Sequence, residues 1–252
     1  MVDRWAAMGA APSTIRNALD PLRVIYRRAV VRDLVTVNPT DGLEVPADAE
    51  SEPMRFANPA EARTLLGSLP ESERALWTTA MYGGLRRGEL RALRWDDVDL
   101  LGSLIEVRRS WDDREGEQAP KTAGAQRKVP VIPPLADALK AHKGTTRRGG
   151  SDLVFGRTAS EAFIPSTVRT RALKAWEAAD PPLRPITLHQ CRHTFASLLI
   201  ASGANAKALS VVMGHAAISI TFDTYGKLMP GGESEVGRLL ADYLGAAPAE
   251  TP

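Results

Sequence analysis

Tyr225 stands ten residues after His215 in the stretch GHAAISITFDTYGKL. Upstream, His189 and Arg192 share the segment HQCR, and Arg86 lies far earlier in GGLRRGEL. Two arginines, two histidines and a tyrosine form a set suited to phosphoryl transfer. Guanidinium groups neutralise phosphate oxygens, a phenol is a nucleophile, and imidazoles donate hydrogen bonds or carry a proton.

The elements around these residues must bring them together. Thr187-Leu188-His189-Gln190 fits a capping box, which starts a helix at 188. On it His189, Arg192 and His193 share a face, while Cys191, Phe195, Leu198 and Leu199 supply the buried side. The first turn of that helix also offers free N–H groups to an anion. Gly83-Gly84 interrupts a helix just before Arg86, so its side chain projects from a tight corner. Glu89 is placed to orient a guanidinium by a bidentate pair. Tyr225 falls in a short helical stretch with Ile218, Phe222 and Leu228.

The remaining periodicity predicts a mainly α fold with one small antiparallel β-sheet (α+β). Helices are expected over 12–35, 59–67, 71–82, 88–93, 134–141, 166–179, 188–201, 205–213, 219–228 and 233–244. Ser13 is the expected cap of the first, and Asn58-Pro59 starts the second. Leu104–Val107 and Lys128–Ile132 read as paired strands, with a short third strand near Val98. The polar stretch DDREGEQAPKTAGAQ reads as the loop between them. Asp41 to Pro53 is acidic and aperiodic, which marks a linker. The expected organisation is a partial helical domain over 1–46, a linker over 47–57 and a main domain over 58–252.

With 252 residues and a net charge of +2, bulk charge predicts no polyanion partner, so the local distribution must carry that argument. Arg87, Arg91 and Arg94 surround Arg86, with Arg87 and Arg91 read as a solvated basic face. Arg108, Arg109, Arg127 and Lys128 make one sheet edge basic, and Arg147 and Arg148 add a second patch. Together with Arg87 and His193, these are candidate contacts to the backbone of double-stranded DNA. One cysteine, Cys191, rules out an intrachain disulfide, and the histidines lack a carboxylate or thiolate set for zinc, so no metal site is expected. No apolar run reaches the roughly 18 residues of a membrane span, and the opening lacks a signal-peptide pattern. A cytoplasmic protein without a membrane partner is expected.

Taken in order, these segments resemble the tyrosine recombinase, or phage integrase, family. The resemblance covers about 55 to 230 and extends more weakly back to residue 11. GLRRGEL assigns Arg86 as its first active-site arginine. PKTAGAQRKVPV assigns Lys121 as its loop lysine. HQCRHTFAS assigns His189 and Arg192, and the Gly-His and tyrosine of the last segment assign His215 and Tyr225. Gln190-Cys191 replaces the usual Asp-Leu, a departure that touches no catalytic group. STIRNALDPLRVIYRRAVVRDLVTVNP matches only the final part of the family's core-binding domain, so a truncated clamp is expected.

The resemblance implies a recombinase catalytic-domain fold and cleavage of DNA through a 3′-phosphotyrosyl intermediate, without metal, ATP or other cofactor. Lys121 is then the general acid, and His189 and His215 position the phosphate and assist proton movement at the tyrosine. It implies a homotetramer when two sites are synapsed, a monomer in solution, and an accessory directionality factor. Two other readings stay open from the residues: topoisomerase-like relaxation by the same chemistry, and a DNA-binding remnant with weak or lost activity.

Overall fold

Side-chain caps and prolines in the first turn set several helix starts in the computed structural model, which describes residues 1–47, 54–119 and 126–229, with 237, 240–242 and 245. The chain divides into two units, Met1–Pro53 and Met54–Pro252. In the first, α1 (Val2–Ala7) precedes α2 (Pro12–Val31). The sequence reading gave no helix at Val2–Ala7; six residues are too few for a periodic signal. Nor does Ser13 cap α2. Ala11 is the cap residue and Pro12, with its fixed φ, opens the first turn. Val2, Ile15 and Leu19 form this unit's buried core, with Leu43 and Val45 packed on it. Val24, Ile25 and Val31 further along α2 are exposed.

The second unit begins its helices at Asn58, whose side chain accepts from the N–H groups of Ala60 and Glu61 ahead of α3 (Pro59–Gly67). Helix α4 (Glu71–Gly83) is buried on nearly every side, through Ala75, Leu76, Trp77, Ala80 and Met81, so it is the central element of the unit. It packs against α8 (Leu188–Ala201) and α6 (Pro133–Thr146). Trp77 meets Trp176 of α7 (Pro165–Glu177) edge-on at 5.0 Å, and the Trp176 indole donates to the Leu65 carbonyl at 2.9 Å.

Following α5 (Arg87–Ala92), the strands β1 (Val98–Asp99), β2 (Leu104–Val107) and β5 (Arg127–Pro130) form an antiparallel sheet in the order β1-β2-β5. Ile105 pairs with Val129 and Val107 with Arg127. Alternation buries Ile105, Val107, Arg127 and Val129 together, whereas Lys128 and Pro130 face outward. A second hairpin, β3 (Ser110–Asp112) with β4 (Gly116–Gln118), lies inside what the sequence suggested was loop. Trp111 is its one apolar strand residue, too little to show a period.

The last described elements are α9 (Ala206–Met213), capped by the Asn205 side chain, and α10 (Ile218–Tyr225), which continues as a short 3-10 turn over Gly226–Leu228. Gly84 ends α4 and Gly214 ends α9, both at φ +62°. A side chain at Gly84 would overlap Phe195, and one at Gly214 would press on Arg127. Those two turns carry the carbonyls that meet the arginines described next. Among the described residues no helix is long and apolar enough to cross a membrane.

Candidate active site

A capping box holds the start of α8, and the Glu89 carboxylate alone caps the start of α5. Thr187 Oγ1 accepts from the Gln190 N–H at 3.1 Å and Gln190 Oε1 accepts from the Thr187 N–H at 2.9 Å, which fixes the start of α8. Arg192, in the second turn, is buried. Its guanidinium donates to the Gly84 carbonyl at 2.5 Å and to the Met213 carbonyl. At the start of α5, the Arg86 N–H donates to Glu89 Oε2 at 2.7 Å. The Arg86 side chain donates to Glu89 Oε1 at 2.9 Å and to the Gly214 carbonyl at 2.9 Å. The two guanidinium groups are thereby tied to the C-terminal corners of α4 and α9, where carbonyls lack helical partners.

Glu89 is the anchor of this arrangement. Arg127 reaches it from β5 with two bonds, of 2.8 and 2.7 Å, and also donates to the Val212 carbonyl at 2.7 Å. The Arg127 side chain is 2% exposed and that of Glu89 7%. Burial raises the Glu89 pKa, but the hydrogen bonds and charge of Arg127, with those of Arg86, override it and hold the carboxyl at about 2. Burial and repulsion by Arg86 pull the Arg192 pKa down to about 9, which leaves it charged at neutral pH.

Tyr225, 1% exposed, ends α10 with its hydroxyl 2.7 Å from His193 Nδ1. The His215 ring lies parallel to the Tyr225 ring, 5° between planes and 6.4 Å between centroids, and its Nδ1 is 2.7 Å from Thr221 Oγ1. The rings of His189 and His193 meet edge-on at 4.4 Å. Burial raises the phenol pKa, an effect the charges of Arg192 and Arg86 partly offset. Arg86, His189, Arg192, His193, His215 and Tyr225 all line one cleft of about 400 Å³. Lys121 lies outside the described residues.

Burial, then neighbouring cations, lowers the His189 pKa and holds His215 at about 4. Burial and the proximity of His189, Arg192 and His215 likewise bring His193 to about 4. Against an ordinary 6.5, the unfolded chain therefore binds more protons than the folded one between pH 6.5 and 4. Stability is expected to be level from pH 6.5 up to about 8 and to fall as pH drops through the lower window. Glu89, held at about 2 against an ordinary 4.5, adds a further loss between those values. Denaturant titrations across this range check the trend, and Glu89→Ala should remove only the lower limb.

Several expected DNA contacts are placed differently. Arg127 is not a surface cation: it sits on the inward face of β5 and is spent on Glu89. His193 faces the phenol. Arg148 turns back onto the carbonyls of Leu153, Gly156 and Arg157. Arg91, expected on a solvated face, is buried against the Phe163 carbonyl and Asp113. Lys128 pairs with Glu106, its cross-strand neighbour, at 3.2 Å, and Arg108 bonds the same carboxylate. Arg109 meets Asp97 at 2.6 Å. The basic sheet edge is thus largely neutralised by acids on adjoining strands and turns. Arg87 is exposed, with Asp113 at 3.7 Å, and Arg147 ends α6 with φ +54°. None of these surface cations lines the cleft.

The profile of the phage integrase family matches residues 54–230, which include every residue of this cleft. The chain belongs to that family. It is similar to the ICEBs1 integrase of Bacillus subtilis, 28% identical over 94% of this chain and 67% of the relative. It is also similar to prophage integrase IntR of Escherichia coli, 30% identical over 86% of this chain and 58% of the relative. It therefore spans about three-fifths to two-thirds of the length of these relatives. Among solved structures, the Tn1549 transposon integrase in complex with a circular intermediate DNA superposes with TM-score 0.80 at 22% identity, over 96% of this chain and 83% of that one. XerA recombinase superposes with TM-score 0.57 at 20% identity, over 92% and 82%. A lambda integrase tetramer bound to a Holliday junction gives 0.59 at 18% identity, over 86% and 62%. At these identities the structures establish the recombinase fold, and the family match carries the relationship.

Proposed function

We propose that this integrase-family chain breaks and rejoins duplex DNA at specific sites, with Tyr225 as nucleophile. The observation that carries the reading is the single cleft shared by the phenol and two guanidinium groups. Tyr225 Oη attacks the scissile phosphorus and the bond to the 5′ oxygen breaks, which leaves a 3′-phosphotyrosyl link. The 5′ hydroxyl of a partner strand reverses the step. Because the phosphodiester energy is kept in the covalent link, the exchange needs no nucleotide. Arg86 and Arg192 hold the non-bridging oxygens and stabilise the charge of the transition state. His189 and His215 orient the phosphate, and Lys121 protonates the leaving oxygen. The cation role falls to the arginines, so the chemistry calls for no metal.

The relatives are named integrases, which favours exchange between two sites over simple relaxation. Lambda integrase has been captured as a tetramer on a Holliday junction, and the same assembly on synapsed DNA is proposed here, from subunits that are monomeric in solution. Residues 1–46 are proposed as part of a helical core-binding domain over a linker at 47–57. The exposed Val24, Ile25 and Val31 of α2 are the kind of face that a helical bundle covers. Cytoplasmic residence and an accessory directionality factor belong to the same reading.

The test uses a duplex nicked near its crossover site, so that cleavage releases a short fragment and traps the intermediate. The unaltered protein should accumulate a denaturant-resistant protein–DNA adduct, and Tyr225→Phe should bind the duplex without forming one. Equal adduct from both proteins would dismiss Tyr225 as the nucleophile.

A further inference from the structure

We propose that His193 is a catalytic residue of the cleavage step, its Nδ1 taking the phenolic proton as Tyr225 Oη attacks phosphorus. The inference rests on the reading of Tyr225 as nucleophile and adds the group that activates it. As the Oη–P bond forms and the P–O5′ bond breaks, the phenolic proton moves to Nδ1. The departing 5′ oxygen takes its proton from the separate acid, assigned above to Lys121. Rejoining runs the same path backwards, with the imidazolium returning its proton to the phenolate oxygen.

Three observations converge on His193. First, the phenol is buried in the wall of the cleft, so an acceptor already in place favours removal of its proton. At 2.7 Å, His193 Nδ1 is within reach. Second, the other two histidines of the cleft are otherwise engaged. His215 lies parallel to the phenol ring, with its Nδ1 committed to Thr221. His189 sets its ring edge-on against His193, and the phenol's bond goes to His193. Third, α8 sets His193 one turn beyond His189, so the two rings meet edge-on at 4.4 Å and His193 packs between His189 and the phenol.

The groups facing His193 are His189 and Arg192 from α8, Tyr225 from α10 and His215 from the turn before it. Burial and these neighbours keep the ring neutral at neutral pH, and in the tautomer that carries its proton on Nε2 the Nδ1 lone pair accepts from the phenol. A phosphodiester entering the cleft brings negative charge that offsets the cations and strengthens the base when it is needed.

Single-turnover cleavage of the nicked duplex tests this, with the unaltered protein as the reference that the phosphotyrosyl chemistry occurs at all. His193→Ala should cleave about 10²-fold or more slowly while binding DNA normally. Added imidazole should restore part of the rate, and the fall in rate at low pH should weaken. His193→Gln guards against a folding defect in the alanine variant. Placing 3,5-difluorotyrosine at 225, a more acidic phenol, should rescue both His193 variants far more than it accelerates the unaltered protein. Cleavage by His193→Ala within a few-fold of the unaltered rate would overturn the proposal. So would a loss that neither imidazole nor the acidic phenol repairs. No adduct from the unaltered protein on any integrase site would instead remove the reading beneath it.

Discussion

Glu89→Ala is expected to destabilise the catalytic unit by about 3–5 kcal/mol, the cost of leaving a buried charge without its partner. The stranded group is Arg127, whose side chain is 2% exposed and makes two of its three hydrogen bonds, of 2.8 and 2.7 Å, to this one carboxylate. The substitution also frees the Arg86 N–H and leaves its guanidinium only the Gly214 carbonyl. Activity should therefore fall beyond what the lost stability explains, because Arg86, the proposed first phosphate-binding arginine, loses one of its two anchors. Glu89→Gln keeps a neutral acceptor and should lie between the two. Denaturant unfolding measures the stability, and a double-mutant cycle with Arg127→Ala isolates the pair. The double variant should lose less than the sum of the singles, since removing both ends leaves no orphaned ion.

Arg86→Ala should behave in the opposite way, with a large loss of rate and a small loss of stability. Removing one preorganised donor to a developing oxyanion costs about 10²–10³-fold in rate, or roughly 2.7–4 kcal/mol of transition-state stabilisation. Arg86 separates the two effects better than Arg192 does. Its side chain is 43% exposed, so truncation leaves a void open to water. Truncating the buried Arg192 would strand the carbonyls of Gly84 and Met213. Arg86→Lys keeps the charge but loses the planar fork shared between Glu89 and Gly214, and it should recover only part of the rate. Single-turnover cleavage beside a binding titration distinguishes these outcomes: the rate should drop while most DNA affinity remains.

What the sequence made legible was local. Thr187 and Gln190 announced the start of α8, and Asn58-Pro59 that of α3, because a cap is a contact between residues three apart or fewer. The Gly83-Gly84 corner placed Arg86 correctly for the same reason. The contacts that complete the site span long separations and left no local trace. Arg127 meets Glu89 across 38 residues, and His193 meets Tyr225 across 32. One signal for Arg127 was available: it alternates with Val129, so a strand begun at 127 rather than 128 puts it on the buried face. The neutral sheet edge was also foreseeable once register was known, since Glu106 stands opposite Lys128. Identity of the family came from four short segments in order, while the pairing of phenol with His193 needed coordinates.

The most direct measurement of the central claim is the identity of the residue that carries the DNA. The trapped adduct should be digested with nuclease and protease, and the peptide bearing the residual nucleotide mass sequenced by mass spectrometry. The account predicts that mass on Tyr225, joined through a 3′ phosphate. A nucleotide on any other side chain, or strand exchange that proceeds with Tyr225 never modified, would contradict it.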